Sequence, residues 1–464
     1  MSDGPHPAPG PDSTPATAAG PGEDRNPAVV VEPITGNYFV SAYPPFFYWS
    51  ETEVAAVLAT GRETSPAHEP TAAPPLGLYI HIPFCVQRCN YCYYLSYEGR
   101  GDAMGPYCDA LGQELAAWMT QPALKDRRPD YVYFGGGTPS ILSTSQIQKL
   151  LQRLKAASSW QDHAEVTFEC APRTLTPEKV AALHAGGVNR ISMGVQQMDD
   201  DVLRTNGRVH LVADVERAYA LLRKTGFKQV NMDLMVGMPG ETRDGFMASL
   251  SRVVDLAPDS ITIYQTEVPR NTRLYRSIKE GEQDPAELDW EMKHQRLDRA
   301  FHHLENSGYT RRSAYTAVRD PDTVHFAYQD LQYQGADLLG LGTSSFSYLG
   351  GIHHQNVVGL EQYIEQVERG DLPVWRGHVL DRAEQQVREF VLQLKLGRVD
   401  LNTLRRRHGS HAADGFQETL QAHADQGWLT FSEDEVSLTR DGLTRVDRFL
   451  RDYFLPAHRG PRYS

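Results

Sequence analysis

Cysteine is scarce: five in 464 residues, and three of them, Cys85, Cys89 and Cys92, fall within the stretch FCVQRCNYCYY. An odd cluster cannot pair internally, and no charged segment followed by an apolar core opens the chain, so a disulfide framework fits badly and a reducing, cytoplasmic setting is expected. A second cysteine pair is also missing. Cys108 and Cys170 are single and distant, which fits a four-ligand zinc site badly. No apolar run approaches the roughly eighteen residues that a membrane-spanning helix needs. Positive charge is in deficit, 46 Lys and Arg against 59 Asp and Glu for a net charge of −13, and this argues against a nucleic-acid partner.

What remains is a three-thiol loop in a chain long enough for two or three domains. An iron–sulfur cube fits such a loop, because three ligated irons leave the fourth open to bind something else. Residues 1–32 are rich in Pro, Ala and Gly and are expected to be a disordered tail. Residues 33–77 then form an arm and linker, with aromatics around Pro44-Pro45 that read as packing residues. From residue 78 a rhythm begins. Short β-branched runs at 78–82, 131–135, 165–169, 189–194, 229–237 and 260–265 alternate with helical patterns at 144–155, 177–186, 211–226 and 242–256. Alternating βα units imply parallel strands, and six of them without a dinucleotide fingerprint predict an α/β fold built on a partial (β/α)6 barrel over 78–320. Functional groups should gather at the C-terminal ends of its strands.

The unusual sequence lies there. Strand one runs into the cysteine loop. Strand two ends in FGGGTPS, where Gly135, Gly136 and Gly137 are either a tight turn or a backbone that a ligand can approach. Strand three ends in FECAP, and alternation allows only one of Glu169 and Cys170 to face inward; Glu169, an acceptor for ribose hydroxyls, is the choice.

CxxxCxxC followed by GGGTP resembles the radical SAM enzymes. YIHIPFC, YFGGGTPS, NRISMGVQ, the NGR at 206–208, MDLMVGMPGET and DLLGLGTSS narrow this further. Together they resemble the group that contains oxygen-independent coproporphyrinogen III oxidase, the radical SAM haem chaperone and the class C radical SAM methyltransferases. The resemblance implies a [4Fe–4S] cluster on Cys85, Cys89 and Cys92 and two S-adenosylmethionines. Tyr79, Gly136, Glu169 and Phe346 would contact the cluster-bound molecule. Gly137, Thr138, Gln196, Arg208, Asp233 and Thr266 would contact the second, and Arg208 can grip a carboxylate bidentately. Tyr79, Glu169, Arg208 and Asp233 would be the catalytic residues. A small-molecule substrate and a reducing partner such as flavodoxin or ferredoxin are also implied.

Within the group, the oxidase carries a further cysteine where this chain has Tyr94, and the haem chaperone carries a haem element of which HFAYQD keeps only His325. By elimination, the expected activity is class C methyltransfer: methylation or cyclopropanation at an sp2 carbon of a small metabolite in natural-product biosynthesis. Oxidative decarboxylation of a porphyrinogen propionate and haem delivery are the alternatives. Residues 321–374 are expected to connect the barrel to a C-terminal helical domain at 375–464. Its helix, acidic hairpin and helix resemble a winged helix, with Arg405, Arg406 and Arg407 as a local basic spot.

Overall fold

The computed structural model describes residues 42–59, 73–284 and 289–460. The tail expected over 1–32, and residues 33–41 and 60–72 of the expected arm and linker, lie outside the described residues. Six parallel strands form the frame: β1 (Leu76–Ile82), β2 (Tyr131–Gly136), β3 (Glu165–Cys170), β4 (Arg190–Gln196), β5 (Gln229–Val236) and β6 (Ser260–Gln265). They lie side by side in chain order, with Tyr79 opposite Tyr133, and Tyr133 opposite Thr167. Helices α1 (Gly101–Met119), α2 (Thr144–Ala157), α3 (Pro177–Ala185), α4 (Val212–Thr225), α5 (Arg243–Leu256) and α6 (Trp290–Asn306) return the chain between strands or follow the last one.

Strict alternation makes this a barrel with two different faces. Leu78, Ile80 and Ile82 of β1 are fully buried in the main apolar core with Phe134, Phe168 and Ile191. The intervening positions, such as Tyr79, Tyr133, Glu169, Ser192 and Asp233, point the other way and meet one another in the lumen. Turn chemistry fixes the ends of the helices. Ser143 and Gln146 form a reciprocal capping box on α2, Thr176 caps α3 and Thr242 caps α5, each contributing about 1 kcal/mol. Gly226, at φ +88°, ends α4 in the left-handed region.

The sheet does not close. Asp337–Leu341 adds a parallel strand beside β1 and is followed by an antiparallel meander of Phe346–Leu349, Ile352–Asn356 and Val374–Val379. At the other edge Thr316–Val318 and Thr310–Arg311 run antiparallel beyond β6. The open partial barrel is therefore as expected, with one parallel strand more than the six read from the sequence.

The C-terminal part has its own core, in which Phe390, Leu404, Leu420, Val446 and Phe449 are buried. Around it lie a three-stranded sheet and the helices Arg382–Leu394, Leu401–His408, Gln417–Asp425 and Arg440–Phe449. The basic spot is tied to the chain itself: Arg405 donates to Glu433 O, Arg406 to Thr403 and Arg407 to Glu389. The arm before the barrel lies across both parts. Trp49 stacks on His353 at 4.7 Å, Ser50 pairs with Gly377, and the Tyr43 hydroxyl lies 2.7 Å from His458 Nδ1.

Gly77 is the tightest test of this packing, since a Cβ there would fall 2.0 Å from the Tyr131 ring. Gly77→Ala should lower the free energy of unfolding by about 1–3 kcal/mol. Gly105→Ala, inside α1 with nothing within 4 Å, should be neutral or stabilising by up to about 1 kcal/mol. Denaturant titration of both variants checks the pair.

Candidate active site at the mouth of the barrel

The cysteine loop leaves β1 at its C-terminal end and is clasped from three sides. Phe84–Cys85 pairs with Tyr97–Glu98. Asn90 N–H donates to Asn206 O at 3.1 Å, Asn90 Nδ2 to Thr205 O at 3.0 Å, and Gln87 to Gly207 O at 3.2 Å. Leu274 N–H then donates to Asn90 O at 2.8 Å. The NGR element therefore holds the loop through its backbone, and Arg208 adds a side chain: Nη1 lies 3.3 Å from Cys89 Sγ while Nη2 donates to Gly194 O at 2.8 Å.

Burial and the neighbouring thiol of Cys89 push the thiols of Cys85 and Cys92 up, Cys92 to about 11. Thiols held together on one loop, with those of Cys85 and Cys92 kept protonated by burial, are a site that a cationic core relieves. Among the described residues, Cys, His, Asp and Glu side chains nowhere converge in threes on a single ion. The donor set of three thiols spread over one loop fits an iron–sulfur cube, in which each sulfur reaches its own iron.

The glycine run has a packing reason of its own. A Cβ on Gly136 would fall 2.5 Å from the His81 ring, and one on Gly137 would fall 2.8 Å from Phe84 O. The run zips onto the chain leaving β1, with Gly137 N–H on Ile82 O and Thr138 N–H on Phe84 O. That places the Thr138 hydroxyl 3.5 Å from Cys85 Sγ.

Glu169 faces the lumen and Cys170 faces outward into the core. Burial and the nearby Asp233 push the Glu169 carboxyl up to about 7, although the Tyr133 hydroxyl donates to it at 2.7 Å. Asp233 is likewise raised by burial, and it accepts from Ser192 and Asn231 at 2.8 Å each. Gln196 ends β4 at φ +67°, where the pairing with β5 shifts register. The Tyr79 hydroxyl lies 3.2 Å from His81 Nδ1. The structure thus brings Tyr79, Glu169 and Asp233 into one lumen below the loop, with Gln196 and Arg208 beside Gly194. Two residues stand apart. Thr266 is fully buried with its hydroxyl on Val236 O and its carbonyl on Lys293. Phe346 lies on the meander, stacked on Phe46 at 4.4 Å with Trp49 edge-on.

Sequence reasoning missed Arg190. It is 1 % exposed, its guanidinium lies 4.0 Å from the Phe326 ring centre, and none of its three nitrogens has a hydrogen-bond partner among the described residues. Its charge acts instead on Glu165, Glu169 and Asp233, opposing the rise that burial causes in each. The signal was available, because Arg190 shares its strand face with Ser192, Gly194 and Gln196. Tyr328 was also missed; it enters the lumen and packs 4.5 Å from Tyr133.

The Radical SAM superfamily pattern matches residues 79–253. The oxygen-independent coproporphyrinogen III oxidase of Salmonella typhimurium is 32% identical over 387 residues, covering 79% of this chain and 83% of that protein. The chain belongs to the oxygen-independent coproporphyrinogen III oxidase-like group of the radical SAM superfamily. The haem chaperone HemW of Bacillus subtilis is 29% identical over 372 residues, 78% of this chain and 95% of its own length. The crystal structure of the Escherichia coli coproporphyrinogen III oxidase HemN superposes with a TM-score of 0.77 at 28% identity, covering 89% of this chain and 96% of that one. Membership brings a [4Fe–4S] cluster and S-adenosylmethionine as cofactors.

The comparisons overturn the expected methyltransferase activity, and natural-product biosynthesis with it. The relatives are oxidases and haem chaperones. The elimination failed because it weighed single missing residues, Tyr94 for a cysteine and an incomplete haem element, above similarity that covers 79% of the chain.

Glu169 gives the site a pH signature. With its carboxyl raised from 4.5 to about 7, the folded chain keeps a proton that the unfolded chain has lost, so this group's contribution to stability falls as pH rises between those values. Glu169→Gln removes that loss. Relative to the parent, the cofactor-free variant should become more stable as the pH is raised from 5 to 8; a pH-independent difference in thermal unfolding would show that Glu169 titrates normally.

Proposed function

We propose that the chain carries out oxygen-independent oxidative decarboxylation of porphyrinogen propionate side chains. What supports this reading above all is that similarity to the oxidases continues far beyond the superfamily pattern at 79–253, over 387 residues. A shared core would follow from superfamily membership alone. The meander and C-terminal part, which lie outside that core, are the elements free to shape a substrate pocket.

When bound, the cluster and S-adenosylmethionine supply a 5′-deoxyadenosyl radical, which can take one hydrogen atom from a propionate. The substrate then loses carbon dioxide and passes one electron to an external one-electron acceptor, leaving a vinyl group. The chain's residues serve binding and orientation. Cys85, Cys89 and Cys92 would hold the cluster. Glu169, kept in place by the Tyr133 hydroxyl, would accept from ribose hydroxyls, and the Gly136 region would offer backbone to the methionine end. Arg208, with Gln196, Asp233, Gly137 and Thr138, would hold a second S-adenosylmethionine. The packed rings of Tyr79, Tyr133 and Tyr328 exclude water around the reacting carbon. The setting is the reducing cytoplasm, with flavodoxin or ferredoxin as electron source.

Haem delivery is the second reading, favoured by the match over 95% of the haem chaperone's length. Its candidate ligand, His325, is exposed, while the adjacent Phe326 and Tyr328 are committed to Arg190 and Tyr133.

Incubation of reconstituted protein with coproporphyrinogen III, S-adenosylmethionine and a reductant under anaerobic conditions separates the two. One 5′-deoxyadenosine and one methionine should form per carbon dioxide released, with no S-adenosylhomocysteine, and His325→Ala should leave turnover within about twofold of the parent, as expected of a surface residue outside the site. Stoichiometric haem capture abolished by His325→Ala, with no carbon dioxide, would replace the oxidase reading with the chaperone.

A further inference from the structure

The segment RNTRLYRSIK, residues 270–279, places four cations at three-residue spacing and contains no acid, in a chain whose net charge is −13. It follows β6 at the mouth of the barrel and forms the short helix Arg273–Lys279. Thr272 caps the helix through Tyr275 N–H, and Leu274 and Ile278 are buried. Spacing of three keeps neighbouring side chains on one side of a helix, so Arg273, Arg276 and Lys279, with Arg270 just before them, form an exposed stripe. Arg273 is met by Glu98 at 3.3 Å; Arg270, Arg276 and Lys279 form no ion pair among the described residues. The nearest acids in sequence are Glu267, three residues before Arg270, and Glu280, Glu282 and Asp284 beyond the helix end.

The stripe is fastened to the cysteine loop. Leu274 N–H donates to Asn90 O at 2.8 Å and Asn271 Nδ2 to Tyr93 O at 3.3 Å. Glu98, which holds Arg273, also accepts from Arg88 N–H at 2.7 Å. Two residues before Arg88, Val86 is 58 % exposed. A basic rim next to an exposed apolar side chain is the anatomy of a protein-docking surface, and here it adjoins the cofactor that must be reduced from outside.

We infer that the surface formed by Arg270, Arg276, Lys279 and Val86 docks a small acidic one-electron carrier protein. The transfer is balanced: the reduced carrier loses one electron, the oxidised cluster gains it, and no proton or group moves. The inference rests on membership of the superfamily and is independent of whether the substrate is a porphyrinogen. Rim charges of this kind act mainly on association rate and its salt dependence.

The test uses the reconstituted enzyme and an acidic bacterial flavodoxin as probe. For Arg270→Gln/Arg276→Gln/Lys279→Gln, association measured by stopped flow or calorimetry should weaken roughly tenfold or more at low salt. The difference from the parent should shrink at high salt, where surface charges are screened. Reduction of the cluster by dithionite, followed by its electron paramagnetic resonance signal, should be unchanged. Equal affinity and salt dependence in parent and variant would overturn the inference. So would loss of dithionite reduction in the variant, which would mean that the stripe only supports the loop, or tighter binding of a single-stranded oligonucleotide than of flavodoxin.

Discussion

Three thiols gathered on one short loop are the constraint on which the rest of the structure depends. Beyond the short pairing of Phe84–Cys85 with Tyr97–Glu98, a loop of this kind has little regular secondary structure to hold it. Its positions come from its neighbours: the glycine run after β2, the NGR element after β4 and the segment after β6 all donate or accept at its backbone. Parallel strands make this possible, because they deliver all their C-terminal loops to one end. A chain built for this loop must therefore end its strands together, and it does.

The second requirement is a lumen that tolerates charge. Carboxylates at Glu165, Glu169 and Asp233 would be costly to bury in isolation. They are offset by the guanidinium of Arg190 and by hydroxyl and amide donors from Tyr133, Ser192 and Asn231. Alternation along each strand keeps this polar set apart from the apolar face that packs on the helices. Stability and chemistry thus use opposite faces of the same strands, and the antiparallel meander, the arm and the C-terminal part close around them.

Much of this was legible in the sequence for identifiable reasons. The cluster cysteines, the glycine run and the six strand segments are local signals, set by spacing and by period-two alternation. Asp337–Leu341 was read only as a motif within a connecting segment, because five mostly apolar residues carry no period and its partner, β1, lies more than 250 residues earlier. Arg190 was passed over because an arginine at a strand start looks like a surface residue until the parity of Gln196 is applied to it. Tyr328 enters the lumen from a segment with no strand pattern at all, which only the tertiary structure reveals. Activity was the least legible feature, since Tyr94 and His325 are single positions, whereas the pocket is shaped by residues spread over the whole chain.

The central claim is that Cys85, Cys89 and Cys92 hold a cluster with one iron left for S-adenosylmethionine. Electron–nuclear double resonance of the reduced, reconstituted protein with S-adenosylmethionine labelled with nitrogen-15 at its amino group tests this directly. The account predicts a nitrogen-15 coupling of the size expected for direct ligation, present in the parent and in Cys108→Ala and Cys170→Ala. A spectrum without that coupling, or one in which Cys108→Ala or Cys170→Ala abolishes the cluster, would contradict it.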